Sequence, residues 1–456
     1  MAVDQRQWQE RLALLAEKHG VPGAVLGILA DGEVTEAAYG VLNKRTGVEV
    51  TTDSVFQIGS ITKVWTGTLI MQLVDEGKLD LDRPVVDYLP EFKVADPDVT
   101  ARVTTRHLLT HTSGIDGDLF LDTGRGDDNI AKYVAACADL KQNHPLGATM
   151  SYCNSGYTVL GRIIEVLHGK TWDEVLRERL FVPLGLTSAG TLPEEALLHS
   201  AAVGHVTPPG GEIQVAPVWG IFRSAGPAGL IHATAREVLE FAQMHLRDGV
   251  TGDGTRILSE QSARAMREPQ VAVPDTYTLG SHWGLSWILM TWDGKEVYGH
   301  DGNTIGQSAC LRIVPEAGVA VTLLMNGGHG RDLFLDLYNE ILSELAGVSL
   351  PPRLEPPATP VSIPLEKYAG RYERVSVETT IEVDGDRLKA TMKSTGELAE
   401  TLGRDEPPAL TVVPVAEDLF VAKLPDDESW IPMVFFRLDD GSEYVHFGAR
   451  ATPKVS

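Results

Sequence analysis

Strand-like segments occur at both ends of the first 350 residues and are separated by a long helical stretch. Residues 23–41 contain two apolar runs joined by Asp31-Gly32, a dipeptide that favours a tight β-hairpin turn. Short strand-like runs return at residues 283–326, each bounded by turn residues. Strands that lie so far apart along the chain predict one sheet to which both ends contribute.

The sequence between these segments predicts an all-helical insertion. Helical periodicity alternates with Gly and Pro clusters over about residues 85–281. We therefore predict an α/β domain over residues 1–350. In this domain an antiparallel sheet from residues 20–58 and 283–346 is flanked by helices.

A proline-rich segment separates a second domain from the first. Residues 351–360 include Pro351-Pro352 and Pro356-Pro357, which is typical of a stiff linker. Residues 361–456 lack helical periodicity and contain short strand-like runs separated by turn residues. This spacing predicts an antiparallel β-barrel of roughly eight strands.

Charge and cysteine content exclude several classes of function. The 456-residue chain has 39 basic and 63 acidic side chains and a formal net charge of −24, which opposes binding to nucleic acid or an anionic membrane surface. No run of about 18 apolar residues is present to span a bilayer. The first 20 residues read as an amphipathic helix rather than a signal peptide, and we expect a cytoplasmic protein. Three scattered cysteines predict neither a disulfide framework nor a metal site, and we expect no cofactor.

Ser60 and Lys63 form the first candidate catalytic motif. Ser60-Ile61-Thr62-Lys63 opens an apolar pattern of helical period, so that the serine and the lysine share one helix face. A serine hydroxyl beside a neutral amine can attack a carbonyl carbon while the amine takes its proton. Ser-x-x-Lys also arises by chance in a chain of this length, and a solvated helix face with a serine N-cap is the alternative.

Two further motifs carry polar groups that suit the same reaction. Tyr152-Cys153-Asn154 places a phenol, which can relay a proton, on the same side of an extended loop as an amide. His300 ends a strand-like run, and Gly302 at its tip can offer backbone N–H groups to an oxyanion. Taken alone, the tyrosine motif is better explained by a buried tyrosine with a satisfied hydroxyl. The histidine motif, taken alone, is better explained by a structural histidine.

In this order and spacing, the motifs resemble those of the penicillin-recognising serine enzymes. That group includes class C β-lactamases, D-Ala-D-Ala carboxypeptidases, β-lactamase-like carboxylesterases and D-aminopeptidases. The resemblance covers roughly residues 8–346 and is carried by segments 56–63, 108–114, 152–157 and 299–302. The tail, starting at 368–372, resembles the lipocalin-like barrel that follows this domain in some members.

The resemblance also implies a role for each candidate residue. Ser60 is the nucleophile that becomes acylated, and Lys63 is its base. Tyr152 shuttles protons, and Asn154 holds the substrate amide. His300 replaces the lysine of the family's Lys-Thr-Gly strand motif.

The strand motif further implies an oxyanion hole and a substrate preference. The backbone N–H groups of Ser60 and Asn303, next to Gly302, would bind the oxyanion. A histidine at position 300 is mostly neutral near pH 7 and supplies no fixed charge for a substrate carboxylate. His-x-Gly is usual in the esterases and D-aminopeptidases, which argues against efficient penicillin hydrolysis.

The sequence leaves three functions open. We expect an acyl-enzyme hydrolase or acyltransferase that acts on an ester, a thioester or a peptide containing D-residues. The first alternative is a stand-alone thioesterase of nonribosomal peptide assembly, which would accept a peptidyl thioester from a carrier protein and close it head to tail. The chain is similar to such penicillin-binding-protein-type thioesterases in length and motifs. The second alternative is a binding protein that keeps the fold without turnover.

Overall fold

The two ends of the first domain meet in one antiparallel sheet, as the sequence predicts. The computed structural model describes residues 3–208, 210–375, 377–395, 409–423 and 429–456. Its strands, in chain order, are β1 (Gly23–Ala30), β2 (Glu33–Asn43), β3 (Val48–Glu49), β4 (Phe56–Gln57), β5 (His205–Val206), β6 (Gln214–Val215), β7 (His232–Ala233), β8 (Val271–Ala272), β9 (His282–Trp283), β10 (Ile288–Trp292), β11 (Lys295–Asn303), β12 (Ser308–Val314), β13 (Val319–Met325), β14 (Gly370–Arg374), β15 (Val377–Asp384), β16 (Arg387–Ser394), β17 (Ala409–Ala416), β18 (Leu419–Lys423), β19 (Ile431–Arg437), β20 (Glu443–Phe447) and β21 (Arg450–Pro453). The main sheet has the order β3-β2-β1-β13-β12-β11-β10-β9-β8, so that β1 pairs directly with β13.

Helices cover both faces of this sheet. They are α1 (Gln5–Lys18), α2 (Thr62–Asp75), α3 (Pro97–Arg102), α4 (Thr105–Leu109), α5 (Asn129–Ala136), α6 (Asn154–His168), α7 (Trp172–Leu176), α8 (Pro193–Ala196), α9 (Gly226–Gly229), α10 (Ala235–Leu246), α11 (Glu260–Ala265) and α12 (Gly330–Ala346). Successive strand residues point to opposite faces. Val25 accordingly joins the core of the helical insertion, whereas Leu26 packs with α1 and α12. None of the helices in the described ranges has an apolar stretch that could cross a membrane.

The main sheet differs in detail from its predicted boundaries. β4 pairs with β7 in a separate two-stranded ladder, so the first part of the sheet ends at β3 rather than at residue 58. The second part begins at β8, earlier than residue 283. The first of the strand-like runs within residues 283–326 covers residues 283–292, and the prediction that it forms one strand is wrong. Ser286 has a φ of 77°, and Trp283 turns back to pair with Ile288.

The carboxyl-terminal domain forms the predicted eight-stranded antiparallel barrel. Its strands follow one another in chain order from β14 to β21. A bridge between Tyr372 and Lys454 joins the first strand to the end of the last, and Arg371 exchanges backbone hydrogen bonds with the chain terminus. Packed aromatic rings fill the interior, where Phe420 and Phe435 each lie within 5.2 Å of a neighbouring ring. The likeness of this barrel to lipocalins stays a prediction.

Helix α2 is the buried centre of the first domain. Its buried side chains run from Thr62 to Leu73 on every face, which is typical of a helix enclosed by other elements. Trp65 stacks on Phe241 of α10 with ring centroids 3.9 Å apart. The enclosure fixes the position of the residues that begin this helix.

Replacing Trp65 by Ala tests how strongly α2 is held. Trp65 is fully buried, so the change should lower the free energy of unfolding of the first domain by about 3–5 kcal/mol. Urea denaturation followed by circular dichroism measures this loss. Val48→Ala in β3, where the side chain is 53% exposed, should change stability by less than about 0.5 kcal/mol. Equal losses in both variants would contradict the central position of α2.

Candidate active site

The turn before α2 presents Ser60 to a pocket. Gly59–Ile61 forms a 3-10 turn, and Gly59 has a φ of 51°, which favours glycine. A methyl group at Gly59 would lie 2.5 Å from the backbone nitrogen of Asn303. The turn therefore lets β11 approach the backbone of Ser60, whose side chain remains partly accessible.

Lys63 lies directly beneath Ser60. Because the two residues are three positions apart at a helix start, their side chains share one face, and Lys63 Nζ is 3.1 Å from Ser60 Oγ. The same amine donates to the Ala228 carbonyl oxygen at 2.6 Å. Burial, and then the charge of Arg450, hold the pKa of Lys63 well below its ordinary value. A neutral amine beside a hydroxyl can act as a base.

Tyr152 covers the other side of the amine. Lys63 Nζ lies 4.8 Å from the centroid of the Tyr152 ring. Burial raises the pKa of this phenol, and the adjacent Ser60 hydroxyl opposes the rise. The Tyr152 hydroxyl is buried and lies next to the Ser60 hydroxyl. It is therefore a protonated donor that faces the Ser60–Lys63 pair.

Asn154, the third residue of the tyrosine motif, begins α6. Its Nδ2 lies 3.3 Å from Asp118 Oδ1, in the loop that precedes α5. Cys153, which lies between Tyr152 and Asn154, caps α6 because its thiol sulfur accepts a hydrogen bond from the Gly156 amide. The amide of Asn154 is thus held by a carboxylate on one side of the tyrosine loop.

His300 lies on β11, close to Tyr152 and Trp283. Its ring centroid is 5.5 Å from that of Trp283 and 6.3 Å from that of Tyr152. Nδ1 lies 2.6 Å from the Asp301 carbonyl oxygen. Because a carbonyl only accepts, Nδ1 carries the proton and Nε2 is left as an acceptor. Burial is the largest of the effects that lower the pKa of His300 to about 3, so the histidine is neutral.

Gly302 lets β11 lie against the nucleophile turn. A methyl group at Gly302 would be 1.8 Å from the Ile58 carbonyl oxygen and 2.9 Å from the Ser60 amide nitrogen. Asn303 follows at the end of the strand. The backbones of Ser60 and Asn303 therefore lie close together, and their role as an oxyanion hole stays a prediction.

The carboxyl-terminal barrel completes the pocket, which the sequence does not predict. The Tyr152 amide donates to the Ala449 carbonyl oxygen at 2.9 Å, and Ala449 has a φ of 70°. Arg450 follows, with its guanidinium carbon 5.2 Å from the centroid of the Tyr152 ring. The turn between β20 and β21 thus reaches the tyrosine of the candidate site.

The structure brings the predicted site residues together and adds others. Ser60, Lys63, Tyr152 and His300 form one cluster of neighbouring side chains, and Asn154, Gly302 and Asn303 lie beside it. Their individual catalytic and binding roles stay predictions. Sequence reasoning missed Asp118, Arg450 and the Ala228 carbonyl group. Neither side chain stands in a motif, and a backbone carbonyl has no signal in the sequence.

Comparison with known proteins identifies the family. The family model described as Beta-lactamase matches residues 7–344. The chain belongs to the β-lactamase family of serine hydrolases, and the resemblance predicted from its motifs is confirmed.

Individual relatives agree with this assignment. Penicillin-binding protein 4 of Amycolatopsis lactamdurans is 52% identical over 376 residues, covering 82% of this chain and 99% of the relative. The crystal structure of SurE matches 99% of both chains, with a TM-score of 0.78 and 27% identity. D-amino acid amidase from Ochrobactrum anthropi SV3 matches 74% of this chain and 99% of its own, with a TM-score of 0.61 and 25% identity.

The lowered pKa of Lys63 predicts how acylation of Ser60 depends on pH. The neutral fraction of an amine rises as pH increases through its pKa, so the rate of fluorophosphonate labelling should rise with it. Because burial and Arg450 depress this pKa, the midpoint of the rise should fall well below the ordinary lysine value of 10.5. Intact-mass spectrometry at a series of pH values measures the rate. A midpoint near 10.5 would show that Lys63 is not held neutral.

Proposed function

We propose that this protein is a serine hydrolase or acyltransferase that works through an acyl-Ser60 intermediate. Its substrate is an ester, a thioester or a peptide that contains D-residues. The observation that carries the proposal is the 3.1 Å contact between Ser60 Oγ and the buried amine of Lys63. A hydroxyl paired with a neutral amine is an activated nucleophile.

Acylation follows from this geometry. Ser60 Oγ bonds to the substrate carbonyl carbon while its proton passes to Lys63 Nζ. The carbonyl oxygen becomes an oxyanion, which the amides of Ser60 and Asn303 stabilise. The bond from the acyl carbon to the leaving group then breaks. Tyr152 hands the leaving group a proton and is reprotonated from Lys63, which becomes neutral again.

Deacylation repeats the sequence with a new nucleophile. Water or an amine adds to the acyl carbon and loses its proton to Lys63. The bond between the acyl carbon and Ser60 Oγ breaks, and the serine oxygen takes that proton back. Water gives a carboxylic acid, and an amine gives an amide.

The identities of several relatives support a substrate with D-stereochemistry. One SurE structure, with 28% identity and a TM-score of 0.76, was determined with D-Leu. A D-stereospecific amidohydrolase from Streptomyces sp. has 25% identity and a TM-score of 0.60. The neutral His300 favours such substrates over those that a fixed strand cation would hold by a carboxylate.

A second candidate is peptide cyclisation by a stand-alone thioesterase. The observation that favours it is the enclosure of the site by the barrel, because Lys63 and Tyr152 are buried and Arg450 of the barrel packs over the Tyr152 ring. A site that restricts water favours attack by the amine of a bound peptide. The acyl donor would then be a peptidyl thioester on a carrier protein.

Replacing Ser60 by Ala tests the nucleophile. The variant should lose covalent labelling by a fluorophosphonate, because the attacking oxygen is gone. Ser200→Ala is the matched control, since Ser200 is exposed on a loop and should label at the wild-type rate. Intact-mass spectrometry measures how many labels each protein molecule carries. If the Ser60 variant carries as many labels as the wild type, Ser60 is ruled out as the nucleophile.

Synthetic peptidyl thioesters test the substrate class and the acceptor. Thioesters whose acylating residue is D should be consumed faster than their L counterparts, and mass spectrometry should separate macrocycle from linear acid. A D preference with linear acid alone would support the hydrolase and exclude the cyclase. Equal rates for D and L donors would contradict D-stereochemistry.

A further inference from the structure

One buried carboxylate joins three elements around the candidate site. Asp118 Oδ1 accepts from Arg450 Nη2 at 2.8 Å, and its Oδ2 accepts from Arg450 Nε at 3.1 Å. Arg374 of β14 donates to the same Oδ2, and Asn154 Nδ2 lies 3.3 Å from Oδ1. The carboxylate therefore contacts the tyrosine motif and two strands of the barrel together.

Asp118 stays ionised in this buried position. Burial raises its pKa, but the charges and hydrogen bonds of Arg450 and Arg374 outweigh burial and leave the pKa at about 2. A buried charge that loses its partner is strongly unfavourable. The carboxylate and the two guanidinium groups therefore hold one another in place.

Two groups that Asp118 holds adjoin the reacting residues. Arg450 packs over the ring of Tyr152, and Asn154 directs its amide N–H group to the carboxylate, which turns its carbonyl oxygen the other way. We infer that Asp118 is a positioning residue, which acts on the reaction through Arg450 and Asn154 without touching the substrate. The inference rests on the proposed acylation of Ser60.

The loop of Asp118 and the loop that precedes α6 both anchor the barrel to the first domain. Asp116 Oδ2 accepts from the Val375 amide at 2.9 Å, and Ser151 Oγ accepts from the Ala451 amide at 3.1 Å. Both contacts flank the Asp118 cluster. The contacts that dock the barrel on the first domain are therefore next to those that arrange the site, and the barrel contributes to the structure of the site.

The charges that face Lys63 give this role a measurable signature. Arg450 lowers the pKa of Lys63, and Asp118 raises it. Burial keeps the other titratable groups around the amine neutral: Tyr152, Cys153, Tyr157, His111 and His300. Removing the carboxylate and removing the guanidinium group should therefore shift the pH dependence of Ser60 labelling in opposite directions.

The test measures fluorophosphonate labelling against pH in full-length variants. Asp118→Asn should shift the midpoint to lower pH, and Arg450→Met should shift it to higher pH. The double variant should lie closer to the wild type than either single variant. Misplacement of Arg450 and Asn154 should also slow labelling of Asp118→Asn by up to about 10²-fold.

Asp116→Asn is the matched control. It is the same substitution in the same buried loop, and its carboxylate bonds the Val375 amide. It should leave the midpoint unchanged while the barrel stays docked, because the Asp116 carboxylate is not among the charges that shift the pKa of Lys63. If Asp118→Asn does not fold by circular dichroism, Arg450→Met is compared with Arg374→Met, and only the former should move the midpoint.

The outcomes separate this inference from the proposed function. A wild-type protein that is not labelled at Ser60 would overturn the proposed function itself. A labelled wild type whose midpoint is unaffected by Asp118→Asn would overturn the positioning role alone. A shift of Asp118→Asn in the same direction as Arg450→Met, or equal shifts in Arg450→Met and Arg374→Met, would also overturn it.

Discussion

The buried amine of Lys63 is the constraint on which the rest of the site depends. An ammonium ion in this position would be poorly solvated, so the surroundings favour the neutral form. The Ala228 carbonyl group and Ser60 Oγ satisfy its hydrogen bonds. A neutral amine in this position can accept the proton of the serine hydroxyl that precedes α2. The enclosure of that helix, from Thr62 to Leu73, is what removes the amine from water.

Close backbone approach is the second requirement, and it explains the glycines of the pocket. Gly59 and Gly302 lie where any larger residue would collide with the opposing backbone. The approach is possible only because β11 lies inside a sheet formed by both ends of the first domain. The barrel adds a third wall through Arg450, whose guanidinium group needs Asp118 as its partner. The geometry of the site therefore depends on the sheet, on the two glycines and on the ion pair between Arg450 and Asp118.

The sequence predicted the elements that depend on local pattern. β13 begins and ends with a mainly apolar run, and the separation of three positions from Ser60 to Lys63 places both on one helix face because the helix period requires it. The prediction of one strand over residues 283–292 is wrong because Ser286, whose φ is left-handed, reverses the chain. A serine in the sequence does not indicate that conformation. Arg450 and Asp118 were missed because their pairing joins residues 332 positions apart, and single-residue patterns carry no information about such contacts.

The most direct test of this account is the ionisation state of Lys63 itself. Selective ¹³C labelling of lysine, with the Lys63 resonance assigned by its loss in Lys63→Met, allows its Cε chemical shift to be followed against pH by NMR. The account predicts that the shift reports a neutral amine near pH 7 and that any titration lies well below the ordinary value of 10.5. A lysine that remains charged up to pH values near 10.5 would contradict the proposed role of Lys63 as the base for Ser60.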